Sequence, residues 1–163
     1  MNFTGTTAVV TGAGRGLGLS YAHALATLGA NVVISDIGAD KLGAGYAELS
    51  DLNPGLIYCS VTGYGQSGPM AQRAGHDINY LAIGGALGTF GPAGSPPVPP
   101  LNLVADFAGG GLLSAFGIVS ALYDKIRTGK GRYIDSAMVD GVLSMMGMNF
   151  VDWQTPTLPE AWA

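Results

Sequence analysis

Two groups of residues in this sequence are of types that could do chemistry, and in the first the spacing also points that way. The first is Thr11-Gly12-Ala13-Gly14-Arg15-Gly16-Leu17-Gly18, which lies between a β-type run and a helical pattern. Glycines in that context let a diphosphate reach helix N-terminal amides with no side chain in the way. Asp36 follows Gly18 at the end of the next apolar run, where a carboxylate accepts both ribose hydroxyls and repels a 2′-phosphate. This favours NAD over NADP, with Gly12, Arg15, Gly16, Leu17 and Gly18 around the phosphates and Asp36 on the ribose. The second group is His76, Asn102 and Asp106. Imidazole and carboxylate are the pair suited to moving a proton near neutral pH. Taken locally, each is ordinary. His76 in Gly75-His76-Asp77 reads as a turn residue or helix cap, and Asp106 as the N-cap of the apolar run behind it. Asn102, beside prolines, reads as a turn former. The helix dipole is expected to favour ionised Asp106.

These residues need elements to position them. A strand over residues 7–11, a helix over 17–28 closed by Gly29, and a strand over 32–35 make one βαβ half-unit. The helix carries Leu17, Tyr21, Leu25 and Leu28 as its apolar stripe. The register changes after Gly38. The pattern then predicts a short helix over 40–51, a strand over 56–61, a glycine-rich loop over 63–69 and a helix over 77–87. The connection over 91–100 is proline-rich and irregular. A long apolar helix follows over 107–127, stopped by Gly129 and Gly131, then a strand over 132–137, a helix over 138–149 and an irregular tail over 151–163.

The glycine motif resembles the TGxxxGxG opening of short-chain dehydrogenases over residues 4–38. That family's chemistry uses a tyrosine four residues before a lysine. Here Lys41, Lys125 and Lys130 have Ile37, Ala121 and Ile126 at that offset, so hydride transfer by that mechanism is not supported. NAD is possible at the motif, without redox turnover.

From Lys41 onward the sequence resembles alpha-methylacyl-CoA racemases within the family III CoA-transferases. The resemblance rests on Lys41-Leu42-Gly43, Asn53-Pro54-Gly55-Leu56-Ile57-Tyr58, Thr62-Gly63-Tyr64-Gly65-Gln66-Ser67-Gly68-Pro69 and Ala74-Gly75-His76-Asp77-Ile78-Asn79-Tyr80. Pro99-Pro100-Leu101-Asn102-Leu103-Val104-Ala105-Asp106-Phe107, Gly129-Lys130-Gly131 and Asp135-Ser136-Ala137-Met138-Val139-Asp140-Gly141 complete it, over residues 40–150. It implies that His76 and Asp106 are the acid/base pair of an isomerase acting in lipid metabolism. Such an enzyme epimerises 2-methylacyl-CoA thioesters through an enolate and needs no metal or redox cofactor. Each proton transfer of this kind is worth about 10²–10⁴ in rate, and one donor aimed at the enolate oxygen about 2.7–4 kcal/mol. The amides at and beside Asp106, and the Asn102 side chain, are the candidate donors. Gly75, Asp77, Ile78, Asn79 and Tyr80 match the CoA-contacting segment. Lys41 stands where the family commonly has an arginine near the CoA phosphates, keeping the charge but losing the bidentate fork. Transferases of the superfamily form an acyl anhydride on the aspartate and generally lack the histidine, so the presence of both favours racemisation. The full-length family implies a homodimer.

The expected fold class is α/β: a Rossmann-like βαβ start over residues 1–38 joined to an incomplete family III CoA-transferase α/β domain over 40–150. A length of 163 residues suits one domain. The net charge of −4 argues against a nucleic-acid partner. Cys59 is the only cysteine, so no internal disulfide can form, and a reducing, cytoplasmic setting follows, with no leader at the start. Residues 107–123 are free of charge but sit at the short edge of the roughly 17–25 residues a membrane helix needs. Flanked by Asp106 and Asp124 and carrying four glycines, they are expected to form a buried soluble helix rather than a span. The motif set switches within residues 39–41 without a linker, which suggests a chimeric or truncated chain. Two further readings stay open: an NAD-binding module lacking the dehydrogenase pair, and an inactive fragment with apolar surface left uncovered.

Overall fold

The computed structural model describes residues 1–11, 16–35, 45–92 and 94–154. The chain forms two compact units, Met1–Val61 with Ser114–Asp135, and Thr62–Leu113 with Ser136–Ala163.

In the first unit, β1 (Thr7–Thr11) and β2 (Asn31–Ser35) pair in parallel with Thr7 opposite Asn31 and Thr11 opposite Ser35. They are joined by α1 (Gly16–Thr27). Gly29, at φ +90°, ends the helix: its N–H donates to the Ala26 carbonyl, and the Ala30 N–H reaches back to that of Leu25. This is the double closure that a left-handed residue permits. The stripe that α1 buries is not the one its leucines suggested. Ala22 and Ala26 are fully buried, whereas Leu17 and Tyr21 are more than half exposed. Methyl groups let the helix close on the strands, Leu19 and Leu25 pack partly buried beside them, and Leu17 and Tyr21 turn outward. Val10, Val32, Leu49 from α2 (Tyr46–Leu52), Leu56 and Tyr58 complete this core. A second two-stranded sheet pairs β3 (Ile57–Thr62) with β4 (Arg132–Ala137). Lys125 lies where a lone lysine late in a helix would by default be solvated. Rather than a solvated surface charge, its ammonium is half-buried and donates to Asn31 Oδ1 at 2.7 Å, and burial lowers its pKa.

The second unit holds α3 (Asp77–Ile83), shorter than the helix expected over 77–87. Gly84 and Gly85 interrupt it, Gly85 at φ +82°, and a single 3₁₀ turn, Ala86–Thr89, follows. The long apolar helix begins earlier than expected, as a π-helical stretch, Leu103–Leu112, running on into α4 (Leu113–Thr128). Asp106 therefore lies inside the first turn and is not the N-cap; Asn102 holds the cap position. Residues 138–149 form not one helix but two, α5 (Met138–Met145) and α6 (Gly147–Gln154), parted at Met146. Tyr80, Leu81, Ala86, Ala105, Val142 and Met146 form this unit's core. Gly109 and Gly141 bring the π-helix and α5 into backbone contact. A Cβ on Gly141 would fall on the Gly109 carbonyl and Cα.

The expectation of a buried apolar helix fails. Phe107, Leu112, Phe116, Val119 and Tyr123 are all more than half exposed, because the small residues Ala105, Gly109, Gly110, Ser114 and Ala121 take the buried positions. Residues Leu103–Thr128 are long and apolar enough to cross a membrane by length and composition alone.

Candidate functional site

Asp77 organises the place where α3 and the π-helix meet. As the first residue of α3 it is 3% exposed, and its Oδ2 accepts the N–H groups of Ala105 at 2.7 Å and Asp106 at 2.8 Å. Two of the orphan donors that open any helix are thus satisfied by a carboxylate from another element. Asp77 Oδ1 is buried with no hydrogen-bond partner among the described residues.

His76 occupies the N-cap position of α3 in extended backbone, with its side chain exposed. Its N–H donates to Asn79 Oδ1 at 2.9 Å, and its carbonyl accepts from the amides of Asn79 and Tyr80. The turn is pinned from both sides as a capping box between His76 and Asn79, with the imidazole at the solvent-exposed face. Asp106 is half-buried. Burial pushes its carboxyl pKa up, and the Asp77 charge pushes it further; the Asn102 side-chain hydrogen bond and the His76 charge pull the other way without winning. The expected dipole effect is overturned here. The amides of Ala105 and Asp106, part of the helix's positive end, already face the Asp77 anion. The same bonds occupy the two backbone donors expected for the enolate, and the Asn102 side chain lies against Asp106.

Tyr80 backs the site. Its buried ring meets Tyr64 edge to face, with centroids 5.1 Å apart and planes at 79°. Side chains at Gly63 or Gly75 would run into that ring. Burial raises the Tyr80 phenol, with Tyr64 and Asp106 adding to the effect. Within the expected CoA-contacting segment, then, Asp77 and Tyr80 are buried, Gly75 is half-buried, and Ile78 and Asn79 are exposed. The clamp made by Asp77 and the Tyr64 ring were not singled out from sequence; the only signal for Tyr64 was its place between Gly63 and Gly65. Gly16, Leu17 and Gly18 open α1, with Leu17 exposed. Gly12, Arg15, Asp36 and Lys41 lie outside the described residues. Among the described residues, no cluster of His, Cys, Asp or Glu could hold a metal ion.

The profile of CoA-transferase family III matches residues 29–160. The chain belongs to CoA-transferase family III. The match takes in β2, ahead of the join expected at residues 39–41, and gives that join no support. Among family III relatives, the chain is 55% identical over 102 residues to alpha-methylacyl-CoA racemase of Homo sapiens, covering 63% of this chain and 27% of that protein. It is 40% identical over 106 residues to succinyl-CoA:glutarate CoA-transferase of Homo sapiens, covering 64% of this chain and 24% of that protein. The crystal structure of a CAIB/BAIF family protein from Brucella suis superposes with a TM-score of 0.70 at 25% identity, over 98% of this chain and 60% of that one. The chain thus spans roughly a quarter of the length of these curated relatives.

Proposed function

We propose that this chain carries the proton-transfer centre of a family III racemase acting on 2-methylacyl-CoA thioesters. The observation that supports this most is the clustering of His76 and Asp106 at two helix starts joined through Asp77, near enough for the imidazole charge to act on the Asp106 carboxyl. In one direction, one group removes the proton from the carbon beside the thioester carbonyl and the other returns a proton to the opposite face; in reverse the roles exchange. One proton leaves and one arrives, so the reaction is redox-neutral. A carboxyl with raised proton affinity is better matched to this task than an ordinary one. The pairing of histidine with aspartate, and the higher identity to the racemase than to the transferase, favour isomerisation over CoA transfer. A second copy of the chain is the partner this reading carries with it.

The test is deuterium wash-in from D₂O at the α-carbon of a 2-methylacyl-CoA, followed by proton NMR. His76→Ala and Asp106→Ala should each lower the rate by about 10²–10⁴. Exchange unaffected by both variants would overturn the reading, as would no exchange alongside acyl transfer through a hydroxylamine-trapped Asp106 anhydride. Loss of all activity in the wild-type chain would leave the inactive-fragment reading standing.

The parallel β1–α1–β2 unit supports a second reading, NAD held at the glycine loop. NADH fluorescence should then saturate on titration and lose that saturation in Asp36→Ala.

A further inference from the structure

The buried carboxylate of Asp77 has work that the proposed proton transfer does not use. One of its oxygens accepts two successive amides of the π-helix, those of Ala105 and of Asp106 itself. Asp106 is thereby held through its own backbone to the residue that follows His76. Resting on the racemase reading, we propose that Asp77 is a positioning residue, fixing the start of the π-helix so that the Asp106 side chain stays in register with His76. In this role its carboxylate acts through Asp106.

Two observations make this more than a cap. A neutral acceptor would satisfy the same amides, yet the residue is a carboxylate whose other oxygen is buried without a hydrogen-bond partner among the described residues. Its charge also opposes ionisation of Asp106. The groups acting on Asp106 are accounted for on each packed element. From α3 these are Asp77, His76 and Tyr80; from its own helix, Asn102. From α5 the π-helix meets Gly141 and Met138, and the acid on α5, Asp140, is exposed.

Carboxyl-¹³C NMR of the intact chain tests the proposal without requiring turnover. Asp77→Asn keeps an oxygen for the two amides and removes the charge, so the Asp106 titration midpoint should fall to lower pH. Asp77→Ala removes the acceptor as well, and the Ala105 and Asp106 amide protons should lose their protection from solvent exchange. An unmoved Asp106 midpoint in Asp77→Asn overturns the proposal, and so does unchanged amide protection in Asp77→Ala. Should Asp77→Ala fail to fold, the parent chain decides: Ala105 and Asp106 amide protons that exchange as fast as exposed ones overturn the proposal. In the deuterium assay, Asp77→Ala should lose about 10²-fold in kcat with little change in KM, the scale of a misplaced reacting group. Asp77→Asn should keep KM and move the Asp106 limb of the pH profile downward. Exchange that ignores His76→Ala and Asp106→Ala sinks the racemase reading, and the titration still judges the role of Asp77.

Discussion

Gly141→Ala should damage the second unit far more than one methyl group ordinarily would. In an open helical position, glycine to alanine gains about 1 kcal/mol from helix propensity. At Gly141 the new Cβ would fall on the Gly109 carbonyl, Cα and carbonyl carbon, all backbone. Backbone cannot rotate away, so α5 and the π-helix must separate, and overpacking of this kind costs about 1–3 kcal/mol. Taking the upper end and subtracting the propensity gain leaves a net loss of about 2 kcal/mol. With a urea slope of about 1–3 kcal/mol/M for a protein of this size, the unfolding midpoint should drop by about 1 M. Gly111→Ala, on the facing π-helix, is the control. Its Cβ would meet only the Asp106 carbonyl, at 3.8 Å, so that variant should be as stable as the parent or more so. Because the displaced helix carries Asp106, deuterium exchange should also fall in Gly141→Ala and persist in Gly111→Ala. Superimposable urea curves for the two variants would refute the claim that backbone contact sets this packing.

The raised Asp106 pKa has a definite sign in stability. The folded state holds this proton more tightly than the unfolded chain, whose carboxyl titrates near its ordinary 3.8; its contribution is therefore fully present below that value and lost as pH rises through the folded pKa. Urea midpoints of Asp106→Asn should accordingly match the parent in acid and overtake it toward neutral pH; a gap that shrinks with rising pH would reverse the argument. Lys125→Met should destabilise the first unit by about 1–3 kcal/mol, because it strips the donor from Asn31 Oδ1 in a residue that is 1% exposed. The same substitution made on Asn31→Leu should cost much less, and additive losses would deny the coupling. Cys59 is buried and its thiol pKa is raised by that burial, so a thiol reagent at pH 8 should label it only after urea unfolding. Rapid labelling of the native chain would show the site to be open.

Local punctuation made parts of the fold legible. Gly29 closed α1 where a left-handed residue was needed, and the strand over residues 132–137 was read to its ends. Burial was harder to read, since the pattern cannot say whether leucines or alanines face the core; in α1 the alanines do, and along 103–128 the small residues do. At the site, His76 and Asp106 could be named only by resemblance, because each has a bland local explanation. The capping reading of Asp106 failed for a physical reason. It assumed that the acceptor for the helix's first amides would be local, whereas Asp77 lies 28 and 29 residues before the amides it binds. Nor does spacing reveal a contact between two glycines 32 positions apart (109 and 141), since a residue without a side chain leaves no periodic signal. Both hidden features act on the same helix. Asp77 satisfies its first turn and Gly141 sets how closely its middle packs, so the position of Asp106 depends on two contacts from elsewhere in the chain. A substitution at either should therefore disturb the Asp106 carboxyl without altering it, and one confined to the exposed face at Phe107 or Leu112 should not.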